Sequence, residues 1–248
     1  MQDLEEKEQI EINYWKDSKF EGPGNPTILN LINKIGDLQV FIECLKELQP
    51  FLVESGNVLE LGAGQGWASC AYKNKYPNVL ITSSDISSYA ISSIGYWENV
   101  FSVSGLKYLT CKSYETLQPS SSLDLVFCFA AAHHFVDHQK TLNELFRVLK
   151  PGGRALFIYE PSAPRYLYKI AYWRVNRIRP EVPEDVLVCS QMRRLAISAG
   201  FAFNVIYSPL LIKRSLSAKA YYTLLNLLPF LRRIFPCTVH LVFHKPNL

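Results

Sequence analysis

Two short stretches of this chain hold residue types that could do chemistry. The first is Val58-Leu-Glu-Leu-Gly-Ala-Gly-Gln-Gly66, where an apolar run passes through Glu60 and glycines fall at 62, 64 and 66. A backbone without Cβ atoms can turn tightly there and bring its N–H groups close to a ligand at a helix start. The spacing discriminates between ligands. A dinucleotide loop reads G-x-G-x-x-G, but the third residue after Gly64 is Trp67, so acid-x-G-x-G-x-G stands here instead. The second stretch is Phe129-Ala-Ala-Ala-His133-His134-Phe135. Its adjacent imidazoles offer a proton acceptor near neutral pH. His138 falls at an expected helix start and reads as structural. No metal site is expected: Asp124, Asp137 and Glu160 could approach one another, but nothing in their spacing demands a cation.

Both stretches need a frame, and the pattern of apolar residues supplies one. Residues 1–50 read as helical. Asn25-Pro26-Thr27 precedes one apolar periodicity through Ile28, Leu31 and Ile35, and a second helix is expected through Val40, Phe41, Leu45 and Leu48. An alternation follows. Strands are expected at 57–61, 79–85, 106–111, 124–129 and 154–159, and helices at 67–75, 88–104 and 139–149, with Pro151-Gly152-Gly153 as a turn. A helix at 190–199, closed by Gly200, and strands at 203–207 and 238–244 complete the set. Strands separated by helices indicate an α/β fold with a doubly wound, Rossmann-like sheet of seven strands, the last antiparallel. Two segments break the rhythm, 161–187 and 208–236. With the N-terminal helices they are expected to cover the ligand end of the sheet as a substrate cover.

The totals set limits. The 248 residues suit one enlarged domain, with 1–50 as a helical cap, 51–160 as the core and the two inserts outside it. With 48% hydrophobic residues a sizeable core is available, and a net charge of +4 rules out a polycation of the nucleic-acid-binding type. Six scattered cysteines form no C-x-x-C and read as reduced thiols in a cytoplasmic protein. The charged N-terminus has no apolar core of a signal peptide. The apolar run 220–231 falls well short of the ~20 residues a spanning helix needs.

The glycine pattern resembles the first motif of the class I S-adenosylmethionine-dependent methyltransferases. The segments 123–129 and 142–154 resemble that family's fourth strand and the helix and turn before its fifth, in the family's order and over about 58–160. The small-molecule enzymes are the nearest group. The resemblance implies S-adenosyl-L-methionine as cofactor, held by Glu60, Gly62, Ala63, Gly64, Gly66 and Phe129. Asp85 would accept the ribose hydroxyls and Ile86 would pack on adenine. The acidic residue the family often carries after its third strand is absent; Ser113, with Tyr114 beside it, occupies that place.

Methyl transfer from a sulfonium is an in-line displacement that requires alignment of the acceptor. A hydroxyl acceptor must also lose a proton. His133 and His134 are the candidate bases, with His134 preferred and packing as the alternative. Tyr14, Trp15, Glu160, Arg165, Tyr168 and Tyr172 are the candidate substrate contacts; Glu160 could pair with an imidazole or with Arg165. The inserts interleave basic and aromatic residues, Arg165 to Arg179 in the first and 208–236 in the second. A lid is the adopted reading. A peripheral membrane surface through 208–236, a homodimer interface and, last, a nucleic-acid groove remain open, with no nucleic-acid partner expected. The expectation is a metal-independent, His-assisted O-methyltransferase of a small or lipid-like metabolite such as a sugar, phenol or natural-product intermediate. An N- or C-methyltransferase, or an inactive cofactor-binding partner subunit, is the alternative.

Overall fold

The computed structural model describes residues 4–18, 21, 27–177 and 184–247. Asn25, Pro26 and Arg179 lie outside them. The elements run α1 (Leu4–Asp17), α2 (Ile28–Glu47), β1 (Ser55–Leu61), α3 (Trp67–Lys75), β2 (Asn78–Asp85), α4 (Ser88–Ile91), α5 (Ile94–Phe101), β3 (Lys107–Thr110) and β4 (Leu123–Phe129). They continue with α6 (His138–Val148), β5 (Leu149–Ser162), α7 (Tyr168–Asn176), α8 (Cys189–Ser198), β6 (Ala202–Tyr207), α9 (Leu216–Leu227) and β7 (Cys237–His244). One seven-stranded sheet is ordered β3-β2-β1-β4-β5-β7-β6. β7 runs antiparallel to both β5 and β6, and the strands from β3 to β5 pair in parallel.

β1 and β4 sit centrally; β4 is apolar except for Asp124 and β1 is buried from Val58 to Leu61, because helices cover both faces. Phe41, Trp67, Tyr72 and Phe127 fill one face with α2, α3 and α5. Leu59, Leu61, Leu145, Phe157 and Phe243 fill the other with α6 and α8. Each fully buried Leu or Phe contributes roughly 1.5–3 kcal/mol of transfer free energy, so the strand ends that carry the chemistry are held rigidly.

Three boundaries differ from expectation. Residues 28–47 form one helix, capped by Thr27, whose hydroxyl accepts the Asn30 N–H at 3.1 Å. Gly36 does not break it, since a single interior glycine costs only about 1 kcal/mol against the burial of Phe41, Cys44 and Leu45. The expected helix 88–104 is two helices, broken at Ser92–Ser93. Pro151-Gly152-Gly153 is not a separating turn: β5 begins at Leu149, paired with Leu123, and a register shift before Arg154↔Leu125 absorbs the three residues.

Candidate active site

A cavity of 670 Å³ opens beyond the carboxyl ends of the parallel strands. At one end stand Gly62, Asp85 and Ile86, at the other His133, His134 and Tyr168. At the first end, β1 delivers Gly62 at φ 63° and Gly64 at φ 53°. A Cβ on Gly62 would lie 2.8 Å from the Ala131 methyl, and one on Gly64 would lie 3.0 Å from the Trp15 indole. Only glycine meets both the conformation and the space. Asp85, at the end of β2, accepts the Gly64 N–H on Oδ2 and the Ser87 N–H on Oδ1, both at 2.8 Å. Burial pushes its carboxyl up to about 6, so at neutral pH it remains mostly an acceptor. Ser113 and Tyr114 line the cavity, the Ser113 hydroxyl 2.8 Å from that of Thr141.

Glu60 lies behind the loop and does not line the cavity. It is buried, accepts the Ser69 hydroxyl, and burial raises its carboxyl to about 8. Ala63, Gly64 and Gly66 shape the turn without reaching the cavity wall. Phe129 is also off the wall; its ring packs 5.1 Å from Phe41 and 5.5 Å from Trp67. A strand residue whose side chain alternates into the core face cannot also reach the cavity.

The other end centres on Glu160. β5 carries a one-residue bulge between the pairs Phe157↔Leu241 and Glu160↔Val239. Tyr159 within it takes φ 61°. Its N–H donates to His240 Nδ1 at 3.0 Å, and His240 Nε2 stands 2.9 Å from Glu47. The extra residue changes the phase of the strand, bringing Glu160 to the face that holds Ala131 and Ala132. Glu160 then accepts the N–H groups of Ala131, Ala132 and His133 at 3.0, 2.9 and 3.2 Å, and its Oε2 stands 2.7 Å from His133 Nδ1. A fully buried carboxylate with four converging donors is satisfied. It holds the His133 ring in one orientation with Nε2 as the remaining nitrogen.

The two histidines diverge electrostatically. Burial works to lower His133, but the Glu160 carboxylate outweighs it and raises the imidazole above its usual value. Burial, then the neighbouring His133, drops His134 to about 3. Its Nδ1 is 3.5 Å from Glu11, whose carboxyl burial and Asp85 push up to about 7. His138 opens α6 behind Asp137, which caps the Lys140 N–H at 2.9 Å; burial lowers this imidazole.

α1 roofs the cavity. Trp15 lies over Gly64, and Glu8 accepts the Tyr114 hydroxyl at 2.5 Å and pairs with Lys112 at 2.7 Å. Tyr14 does not line the cavity; it points off the face shared by Glu8, Glu11 and Trp15. Those two glutamates and Cys111 were not among the expected site residues. The spacing 8, 11, 15 marks one helical face and was the available signal. Tyr168 and Tyr172 line the cavity from α7, and the Tyr168 hydroxyl donates to Asp185 at 2.8 Å. Arg165 is exposed and, among the described residues, makes no ion pair with Glu160. No residue of 208–236 lines the cavity. Its Arg214 stacks 3.4 Å over Tyr222 and reaches Tyr159 from outside. Against the expectation of no metal constellation, His133, His134 and Glu184 bring one donor atom each within 4.8 Å of one another. Sequence spacing hides this grouping because the 184–187 strap returns to the site only in the fold, with the Asp185 N–H on the His133 carbonyl at 3.1 Å.

A family model described as "Methyltransferase domain" matches residues 59–157. Residues 59–157 thus form a class I S-adenosylmethionine-dependent methyltransferase domain. Its cofactor is S-adenosyl-L-methionine, and the glycine cradle, the buried Asp85 and the apolar Ile86 fit that group. Among curated relatives, the malonyl-[acyl-carrier protein] O-methyltransferase 2 of Ilyobacter polytropus is 28% identical over 152 residues, 61% of this chain and 54% of that protein. The fatty-acid O-methyltransferase of Mycolicibacterium smegmatis is 27% identical over 46% of this chain and 40% of its own. The demethylmenaquinone methyltransferase of Thermus thermophilus is 26% identical over 58% and 74%. The chain thus spans about half the length of the first two. Among solved structures, the geranyl diphosphate C-methyltransferase of Streptomyces coelicolor aligns over 96% of this methyltransferase and 98% of its own chain, with a TM-score of 0.71 and 12% identity. The YcgJ protein of Bacillus subtilis aligns over 85% and 99%, with a TM-score of 0.61 and 19% identity. At these identities the structures speak to the fold.

Proposed function

We propose that this methyltransferase methylates a hydroxyl of a small or lipid-like metabolite, with His133 as the general base. The observation that carries this is the 2.7 Å contact between His133 Nδ1 and Glu160 in the wall of the cavity that also holds Gly62 and Asp85. When bound, S-adenosyl-L-methionine supplies an activated methyl group. The chain's own task is to place the acceptor and remove its proton. His133 Nε2 takes that proton, and Glu160 steadies the imidazolium that results. A base works best with its pKa near the operating pH. That favours His133, raised by Glu160, over His134 at about 3, and it reverses the preference drawn from the sequence. His134 and Glu11 then shape the wall, with Tyr168 and Tyr172 offering aromatic faces to the substrate.

A methyl-labelled cofactor and a panel of hydroxylated amphiphiles, phenols and sugars test this reading. The expected product carries the label on oxygen, and its formation falls sharply in His133→Ala. Label found only on nitrogen or carbon, or undiminished transfer by His133→Ala, would overturn it.

A further inference from the structure

The segments 161–177 and 208–236 carry four and five basic residues and no acidic one, so the remainder of a chain of net charge +4 is acidic. The fold joins the two. The Tyr166 hydroxyl donates to the Ile234 carbonyl, and Arg174 stands close enough to Tyr221 to bear on its ionisation. On this joined surface large apolar side chains stand out of the protein. Ile170 is 64% exposed, Trp173 62%, Leu227 72% and Phe230 62%. Lys169, Arg174, Lys219 and Arg233 lie among them, exposed and, among the described residues, outside any ion pair.

We propose that this face, built by α7, α9 and the turn at 229–233, docks on an anionic lipid bilayer and presents the acceptor from it. Protruding aromatic and aliphatic side chains ringed by Lys and Arg suit the headgroup–acyl boundary, where apolar burial and attraction to anionic lipid add. The charge pattern decides the occupant. In a two-fold homodimer the same patch meets itself, which would set cations against cations. An acidic protein would match the charge but leave the protruding Trp173, Phe230 and Leu227 without a lipid phase to enter.

The face adjoins the active site through a single helix. Tyr168 and Tyr172 line the cavity from one side of α7, whereas Ile170, Trp173 and Arg174 lie on the opposite side. An amphiphile can therefore enter head-first while its tail stays in the bilayer. This last step rests on the proposed methylation of a lipid-like acceptor; the docking itself does not.

Co-sedimentation with phosphatidylcholine vesicles, with and without phosphatidylglycerol, tests the docking without any turnover. The full chain is expected to partition about tenfold or more better onto the anionic vesicles, and to release as salt rises from about 0.05 to about 0.5 M. Lys169→Glu with Arg233→Glu, and separately Trp173→Ser with Phe230→Ser, should each lower partitioning about tenfold or more. Both should keep the melting temperature and its rise with S-adenosylhomocysteine. The wild-type salt series stands even where a variant fails to fold. Equal partitioning onto both vesicle types, a homodimer that Trp173→Ser with Phe230→Ser dissociates, or capture of an acidic carrier protein in place of vesicles would overturn the proposal. Vesicle binding without any methyl transfer to oxygen would instead refute only the proposed function.

Discussion

The two ends of the cavity are assembled on different scales of the chain. At the end proposed for the cofactor, Gly62, Asp85 and Ile86 stand at the ends of the neighbouring parallel strands β1 and β2 and lie within 25 residues of one another. At the end proposed for the acceptor, Glu11, His133, Glu160, Tyr168 and Asp185 come from five separate places, joined by contacts such as His133–Glu160 and Asp185–His133. The first end is therefore a property of a local turn, the second of the whole fold. A change in the first should strike cofactor binding. A change in the second should strike transfer and spare binding.

Gly62→Ala should break that contrast most severely. It places a Cβ 2.8 Å from the Ala131 methyl at φ 63°, and strain with overpacking costs about 2–4 kcal/mol. Differential scanning should show a lower melting temperature, and calorimetry no binding of S-adenosylhomocysteine. His133→Ala should reduce transfer by roughly 10²–10⁴-fold, read in a labelled-methyl assay, with the affinity for S-adenosylhomocysteine unchanged.

Glu160→Gln should have a smaller and more telling effect. His133 must be neutral to accept a proton, so activity rises with pH through its folded pKa. The Glu160 carboxylate holds that pKa above the usual value. Its removal should move the acidic limb of the kcat/KM profile to lower pH while lowering kcat about tenfold. A purely structural Glu160 would lower activity without moving the limb.

Glu60 tests the support of the cofactor end. Folded, it keeps its proton up to about 8 instead of its ordinary 4.5. Across that window the folded chain binds the extra proton, so stability falls as pH rises. Glu60→Gln should remove that slope, a gain of at most about 1.4 kcal/mol per pH unit, seen as a melting temperature that holds steadier between pH 5 and about 8. The smallest expected effect is that of a chelator. His133 Nε2 is assigned to the acceptor's proton in the proposed reaction, and EDTA should leave transfer unchanged. A loss restored by a divalent cation would make the His133, His134 and Glu184 grouping a metal centre.

The same contrast explains what could be read from the residues alone. The turn at 62–66, Asp85 and the order of strands and helices are written in short-range spacing and apolar periodicity, and the fold carries them as expected. Glu160 was visible as a residue, but its role depends on the bulge at Tyr159, which a period-two pattern does not reveal. The proposed base moves from His134 to His133 because burial, then the neighbouring imidazole, lowers His134, and that burial is set by the fold and not by positions 133–134. Phe129 and Tyr14 were adjacent to site residues in sequence yet face elsewhere, since neighbours on a strand or a helix point in different directions. The segment 208–236 lies outside the cavity because it packs on β5 and β7 through Arg214.

The most direct measurement is calorimetric titration of S-adenosylhomocysteine into the wild-type chain and His133→Ala, each followed by a labelled-methyl assay. Equal affinity in both, with transfer only by the wild type, is the predicted result. Absence of binding in the wild type, or loss of affinity in step with transfer in His133→Ala, would contradict the separation of a cofactor end from an acceptor end.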